Sequence, residues 1–308
     1  MLIVPLPPDA VDHIRYSGKG TFMSEAILVI GATGTIGRDV TKQLAKKNAT
    51  VRAGVRDPGK ARMQFGTEIA LAPFDFEDAQ SFDGALKDVE KVFLLPPLMP
   101  NQLEVANAFV DAAKRAGVRH IVKLSAIGVD TESFKFGEWH AAGERHIRES
   151  GLAFTFLRPN SFMQNFINYF PPRDGVIYLP WGNGRASFVD TRDIATAAAE
   201  VLITRDHEGK TYTLTGPAAL GIAEVANILS EAAGREINYV DVPESAARDG
   251  MLQAGLPQWQ VDALMELHAI NKQNLWSTVT SDIEEVSGKP PIEFAQFARD
   301  HAEKFRAS

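Results

Sequence analysis

Ala26-Ile27-Leu28-Val29-Ile30-Gly31-Ala32-Thr33-Gly34-Thr35-Ile36-Gly37 is the stretch that decides the fold of this chain. An apolar run with the character of a buried parallel strand passes into three glycines spaced three apart, and a helix-compatible segment, Arg38 to Lys47, follows. Glycine suits this place for three reasons: a tight strand-to-helix turn, close approach of backbone to a pyrophosphate, and close packing of helix on strand. The helix N-terminus adds unpaired N–H groups and the positive end of a dipole. Strand before and helix after are the required context, so the stretch reads as a dinucleotide-binding turn. Gly31, Thr33, Gly34, Thr35, Ile36 and Gly37 are its expected cofactor contacts.

Outward from this turn, strands and helices alternate. Further strands are expected at 51–55, 68–71, 92–95, 120–124 and 154–157. A helix over 103–116 places Leu103, Ala106, Phe109, Val110 and Ala113 on one face and stops at Gly117; another over 137–150 stops at Gly151. The alternation predicts an α/β fold, a doubly wound parallel Rossmann sheet with ligands beyond the carboxyl ends of its strands. After about residue 165 the rhythm changes, with turns at Pro171-Pro172, Pro180 to Gly184 and Pro217. Thr191 is the expected cap of a helix running through Ile203, further helices fit 222–234, 244–254, 257–270 and 291–305, and strands fit 211–214 and 237–240. The expected organisation is an NAD(P)-binding domain over 24–165 and a smaller, helix-rich C-terminal substrate lobe over 166–308, some of whose segments return to the sheet. Residues 1–23 read as an extension outside the fold, Met23 standing three residues before the first strand.

The 308 residues carry a net charge of -7 and no cysteine. That balance speaks against a nucleic-acid-binding face, and the lack of cysteine removes thiolate chemistry and disulfides, as in a reducing, cytoplasmic setting. No apolar run approaches the roughly 20 residues of a membrane span. The expected partner is a small-molecule substrate; a homodimer is left open.

The end of the second strand governs cofactor choice, because an arginine there accommodates the 2′-phosphate of NADP. Arg56 lies 19 residues after Gly37, and Lys60 adds a second positive charge one turn later. A guanidinium fits a phosphate through its bidentate fork, which favours NADPH over NADH. Asp57 either binds a ribose diol or caps the helix beginning at Pro58. Asp75 and Phe76, after the third strand, stand where an adenine ring would rest, with a loop-capping Asp as the plainer reading. Leu95 and Pro96 end the fourth strand, where the adenosine ribose and pyrophosphate would pass. Pro159 and Asn160 follow the sixth strand and are placed against the nicotinamide, with Phe162, Met163 and Phe166 lining a substrate cavity. Trp181 and Trp259 are further cavity candidates from the lobe.

A short-chain dehydrogenase would carry Tyr-x-x-x-Lys after the fifth strand. Here those two positions hold Phe136 and His140, while Ser125 occupies the place of the usual serine. Proton delivery through a lysine-assisted tyrosinate is therefore excluded. His140 and Ser125 are the candidate catalytic residues, imidazole because it titrates near neutral pH; the alternative for His140 is a bond to the nicotinamide ribose or a loop. His146 falls on another helix face from His140, which speaks against a shared metal.

Together these segments resemble the NmrA-like, atypical short-chain dehydrogenase family, and within it the bacterial NAD(P)H:quinone oxidoreductase type. The resemblance runs from Ile27 to about Phe305. It is carried by the glycine turn, by Val55 to Ala61, Phe74-Asp75-Phe76, His140 with Glu144, Leu157 to Phe166, His207 to Tyr212 and Thr215-Gly216. It implies an NADPH-binding fold and hydride transfer to a quinone, enone or similar planar acceptor without flavin. The family also contains NADP-binding redox sensors that act on protein partners without turnover, which is the alternative function.

Overall fold

Residues 26–131 and 134–306 are described by the computed structural model; the expected extension 1–23 lies outside them. The chain runs β1 (Ala26–Val29), α1 (Thr35–Lys46), β2 (Val51–Val55), α2 (Pro58–Phe65), β3 (Ala70–Pro73), α3 (Gln80–Leu86), β4 (Val89–Leu94) and α4 (Gln102–Arg115). It continues with β5 (His120–Leu124), α5 (Lys135–Ser150), β6 (Ala153–Pro159), α6 (Asn165–Asn168), β7 (Val176–Leu179), β8 (Arg185–Ala186), α7 (Thr191–Ile203), β9 (Lys210–Leu214) and β10 (Leu220–Gly221). It ends with α8 (Ile222–Ala233), β11 (Asn238–Asp241), α9 (Glu244–Gln253), α10 (Gln258–Lys272), α11 (Asp282–Ser287), α12 (Phe294–Asp300) and α13 (Ala302–Arg306).

Seven strands form one sheet in the order β3-β2-β1-β4-β5-β6-β9, and every pairing in it is parallel. Parallel sheets are covered on both faces, which explains the unbroken apolar run of β1. Alternate residues of that run serve opposite layers. Ile27 and Val29 pack with Val40, Leu44, Ile194 and Leu202; Leu28 and Ile30 pack with Phe82, Phe109, Ile147 and Phe156. The doubly wound Rossmann fold expected from the alternation is therefore the observed one.

The differences lie where pairing is non-local. The third strand begins at Ala70, and the sixth runs on to Pro159 because β9 supplies partners for its end, Thr213 for Arg158 and Leu214 for Pro159. The chain leaves the sheet after β6 and then returns. Helix α7 packs beside α1, bonded through Gln43 to Thr196 at 2.9 Å and Lys47 to Glu200 at 2.7 Å. The expected helix over 291–305 is two helices, α12 and α13, and α11 arises where none was expected. A third core, with Phe166, Ile177, Phe188, Leu229, Phe297 and Phe305, holds the C-terminal lobe together. No helix among the described residues is long and apolar enough to cross a membrane.

Candidate active site

The glycine turn is built as its spacing demands. Gly31 has φ +73°, and a Cβ on Gly37 would stand 2.2 Å from the Gly31 carbonyl oxygen, so only glycine allows this contact of helix on turn. Gly34 is the extended N-cap of α1 and provides no side-chain cap, and no acidic side chain lies in the first turn. Thr33, Gly34 and Thr35 are exposed, whereas Ile36 and Gly37 are buried. The open amides and the dipole of this helix end fit a pyrophosphate. Leu95 closes the turn from the β4 side, its Cδ2 3.3 Å from where a Gly31 Cβ would be. Leu95 and the adjoining Pro96 are half-buried.

At the end of β2 the structure resolves the role of Asp57. Asp57 Oδ1 accepts from the Lys60 backbone N–H at 3.0 Å and caps α2, with Pro58 in the first turn. Arg56 and Lys60 are exposed, and Arg56 has no hydrogen-bond partner among the described residues. Asp75 Oδ1 accepts from Glu77 N at 3.1 Å in a turn preceding α3, which starts at Gln80. Phe76 stands half-buried, edge-on to Phe74 at 4.9 Å.

Beneath the carboxyl ends of β5 and β6 lies a buried polar cluster that sequence reasoning missed. Glu144, 1% exposed, accepts from Ser125 Oγ at 2.6 Å, from Arg158 at 3.0 and 2.7 Å, and from Arg148 at 3.0 Å. Arg158 also reaches Asp130 at 2.6 Å. Hydrogen bonds from Arg158 and Ser125 hold the Glu144 carboxyl below the ordinary range against the opposing effect of burial, which is the largest single influence. Beside this cluster Lys123 Nζ lies 2.8 Å from His140 Nδ1. Burial lowers the Lys123 ammonium to about 7, partly countered by Glu144. Burial, and then Lys123, hold His140 well below its usual value, so the imidazole is neutral. Helix geometry explains the grouping, since His140, Glu144 and Ile147 lie on one face of α5 at four- and three-residue steps. The missed signal was Lys123 itself, since an unpaired lysine is rare inside a wholly buried strand.

Several expected contacts are used elsewhere. The Ser125 hydroxyl points its proton at Glu144 and the residue is 4% exposed. Asn160 is a structural staple rather than a free group facing the nicotinamide: its Nδ2 donates to Ser187 Oγ at 2.6 Å and to the Trp276 carbonyl at 2.8 Å, and its Oδ1 accepts from Ser161 N. The neighbouring Pro159 is buried as the last residue of β6, its carbonyl accepting from Ile127 N at 3.0 Å. Phe166 is wholly buried in the lobe core against Phe170, Phe188 and Phe294, so it lines no open cavity. Met163 borders a separate apolar hollow of about 290 Å³ with Phe188, Leu220 and Phe294. Phe162 is half-buried against the sheet core. Trp181 is buried, donating to His268 Nδ1 at 2.7 Å. Instead, an aromatic wall stands beside His140: Phe136 and Trp139 on α5, centroids 5.7 Å apart, and Trp259 on α10, 6.1 Å from Trp139. All three are half-buried. His146 turns away to Asp111, 2.8 Å distant.

A family model described as the NmrA-like family matches residues 23–295. The chain belongs to the NmrA-like family. Its relatives include an NAD(P)H azoreductase of Xenophilus azovorans, 39% identical over 285 residues that span 92% of this chain and all of that protein. A (4-alkanoyl-5-oxo-2,5-dihydrofuran-3-yl)methyl phosphate reductase of Streptomyces griseus is 33% identical, covering 91% of this chain and 99% of that one. Among solved structures, the NADPH-dependent quinone oxidoreductase QOR2 of Escherichia coli in complex with NADPH superposes with a TM-score of 0.82 at 26% identity, over 89% of this chain and 99% of that chain.

Proposed function

We propose that this NmrA-like chain is an NADPH-dependent reductase of planar unsaturated acceptors, quinones, enones or azo compounds, working without flavin. The chain is an NAD(P)H-dependent oxidoreductase, as its azoreductase and quinone-reductase relatives are. The observation that carries the finer reading is the pairing of a neutral imidazole, His140, with the aromatic wall of Phe136, Trp139 and Trp259 on the same helix and on α10. When bound, NADPH supplies a hydride from C4 of its nicotinamide.

The chain's own residues do the rest. Open amides at the start of α1 hold the pyrophosphate, and Arg56 with Lys60 takes the 2′-phosphate. The aromatic wall stacks the acceptor and excludes water, so that proximity supplies much of the rate. Because His140 Nδ1 is held by Lys123, its proton sits on Nε2, where it donates to the acceptor oxygen or nitrogen as negative charge develops. Ser125 and Glu144 anchor α5 to β5 and β6 and fix the position of His140.

NADPH oxidation, read as loss of reduced-nicotinamide absorbance across a panel of quinones, enones and azo dyes under anaerobic, flavin-free conditions, tests the proposal. Turnover of at least one class is expected. Tight NADPH binding with no turnover on any panel member overturns it and leaves the redox-sensor reading in its place.

A further inference from the structure

Lys123 has a surrounding that a purely structural lysine would not need. It is 2% exposed near the carboxyl end of β5, and among the described residues its hydrogen-bond neighbours are His140 Nδ1 at 2.8 Å and the Leu124 carbonyl at 3.4 Å. Helix α5 is notched to admit it: a Cβ on Gly143 would come within 3.3 Å of Lys123 Cε. The charged groups facing it are Glu144 from α5 and Arg158 from β6, and neither forms a hydrogen bond with Nζ. A buried ammonium ordinarily gathers several acceptors. This one has been directed at a single imidazole nitrogen, Nδ1, which leaves Nε2 to carry the ring proton.

We infer that Lys123 recharges His140 during turnover, passing its proton to Nδ1 as Nε2 gives one to the acceptor. The inference rests on the reading of His140 as proton donor. In the step, the N–H bonds at Nε2 of His140 and Nζ of Lys123 break. A bond from hydrogen to the acceptor oxygen or nitrogen and an Nδ1–H bond form. The imidazole stays neutral but changes tautomer, Lys123 is left as a neutral amine, and the acceptor has gained one hydride and one proton. After product leaves, Nε2 takes a proton from water and Nδ1 returns one to Lys123. The imidazole therefore never has to become an anion, which a lone neutral histidine donating from Nε2 would. Burial brings the ammonium to about 7, near the working pH, where both forms are populated and a proton relay is most effective.

Two variants separate relay from packing. Lys123→Met keeps an apolar stem of similar length, and Lys123→Gln keeps an N–H donor toward Nδ1 that cannot be released. Both are expected to bind NADPH with unchanged affinity and to lose about 100-fold in kcat, the size of a general-acid contribution. Both should also lose the limb of the kcat/KM profile that falls as pH rises through about 7. Nitrogen NMR of the cofactor-free protein gives a reading independent of turnover: His140 should hold its proton on Nε2 in the native chain and in Lys123→Gln, but populate both tautomers in Lys123→Met. A Lys123→Gln enzyme with native kcat and an unchanged pH limb overturns the relay. His140→Phe distinguishes the levels: if it turns over at the native rate, the reading of His140 itself fails, whereas a slow His140→Phe beside a native-rate Lys123→Gln removes only the relay.

Discussion

On the proposed function, Arg56 carries the choice between the two nicotinamide dinucleotides, because among the described residues its side chain has no internal hydrogen-bond partner. Its neighbour Asp57 is spent on capping α2, so the guanidinium stands exposed beside Lys60 with its donors free for a phosphate. A charge-assisted contact of this kind is worth about 1.5–3 kcal/mol. Arg56→Ala should thus weaken NADPH roughly 10- to 100-fold while leaving NADH within about twofold, as measured by fluorescence titration of both. Equal losses for the two would remove Arg56 from the specificity role. Glu144 illustrates the opposite kind of residue, one whose partners are all internal. Replacing it by alanine leaves the buried Arg158 with Asp130 as its remaining carboxylate, and loss of one member of a buried pair costs about 3–5 kcal/mol. Chemical denaturation of Glu144→Ala should show a fall of that size, with kcat lowered as well because α5 carries His140. The place of Arg56 at the end of β2 was legible. Glu144 and Lys123 were not, because their meaning depends on α5 lying against β5, and no local pattern announces which face meets which strand.

The element that reads most directly from the sequence is the turn from β1 into α1, because its constraint is local. The Gly37 site has a backbone oxygen where a methyl would go, whereas Gly84 in α3 has nothing within 4 Å. Gly37→Ala should therefore cost about 1–3 kcal/mol through overpacking and abolish NADPH binding as the turn is pushed open. Gly84→Ala should stabilise by about 0.5–1 kcal/mol, since alanine is the better helix former and meets no neighbour. Thermal melts of the two variants check both signs together. Helices α7 and α8 were legible in extent, but the cap of the first is Asp190, which accepts from Arg192 N, rather than Thr191, which is its first helical residue; Gly234 ends the second in the left-handed region. The segment at 291–305 was not, since nothing in its polarity marks the break at His301 between α12 and α13.

Across the whole molecule, the return of the chain to the sheet was expected, but its partner strand and register there were not. Strand β9 pairs with β6 more than fifty residues away in sequence, and parallel pairing leaves no hairpin signal to find. That return also creates buried titratable groups whose effect is felt globally. Thr155 donates to the His207 carbonyl just before β9, so its oxygen accepts from His120 Nε2, and burial keeps that ring neutral. His268 must likewise be neutral at Nδ1 to accept from Trp181. Burial lowers both to about 4. Between pH 6.5 and 4 the unfolded chain binds these protons and the folded one does not, so stability is complete above 6.5 and is lost as pH falls toward 4, by about 3 kcal/mol per histidine at most. Asp193 acts the other way. Burial, with Asp190 adding to it, raises its carboxyl to about 6 although the Ile292 N–H at 2.7 Å opposes the shift. The folded state then holds that proton more tightly than the unfolded one, and stability from this group falls as pH rises from about 4 to 6. The two histidines outweigh the one carboxyl, so unfolding free energy should drop by several kcal/mol from pH 7 to 4. Asp193→Asn keeps an acceptor for Ile292 and removes only the charge. It should raise stability at pH 7 by about 1–3 kcal/mol and steepen the decline between 6 and 4. Urea midpoints of native and variant protein across that range decide the matter, a flat native profile being the result that contradicts it.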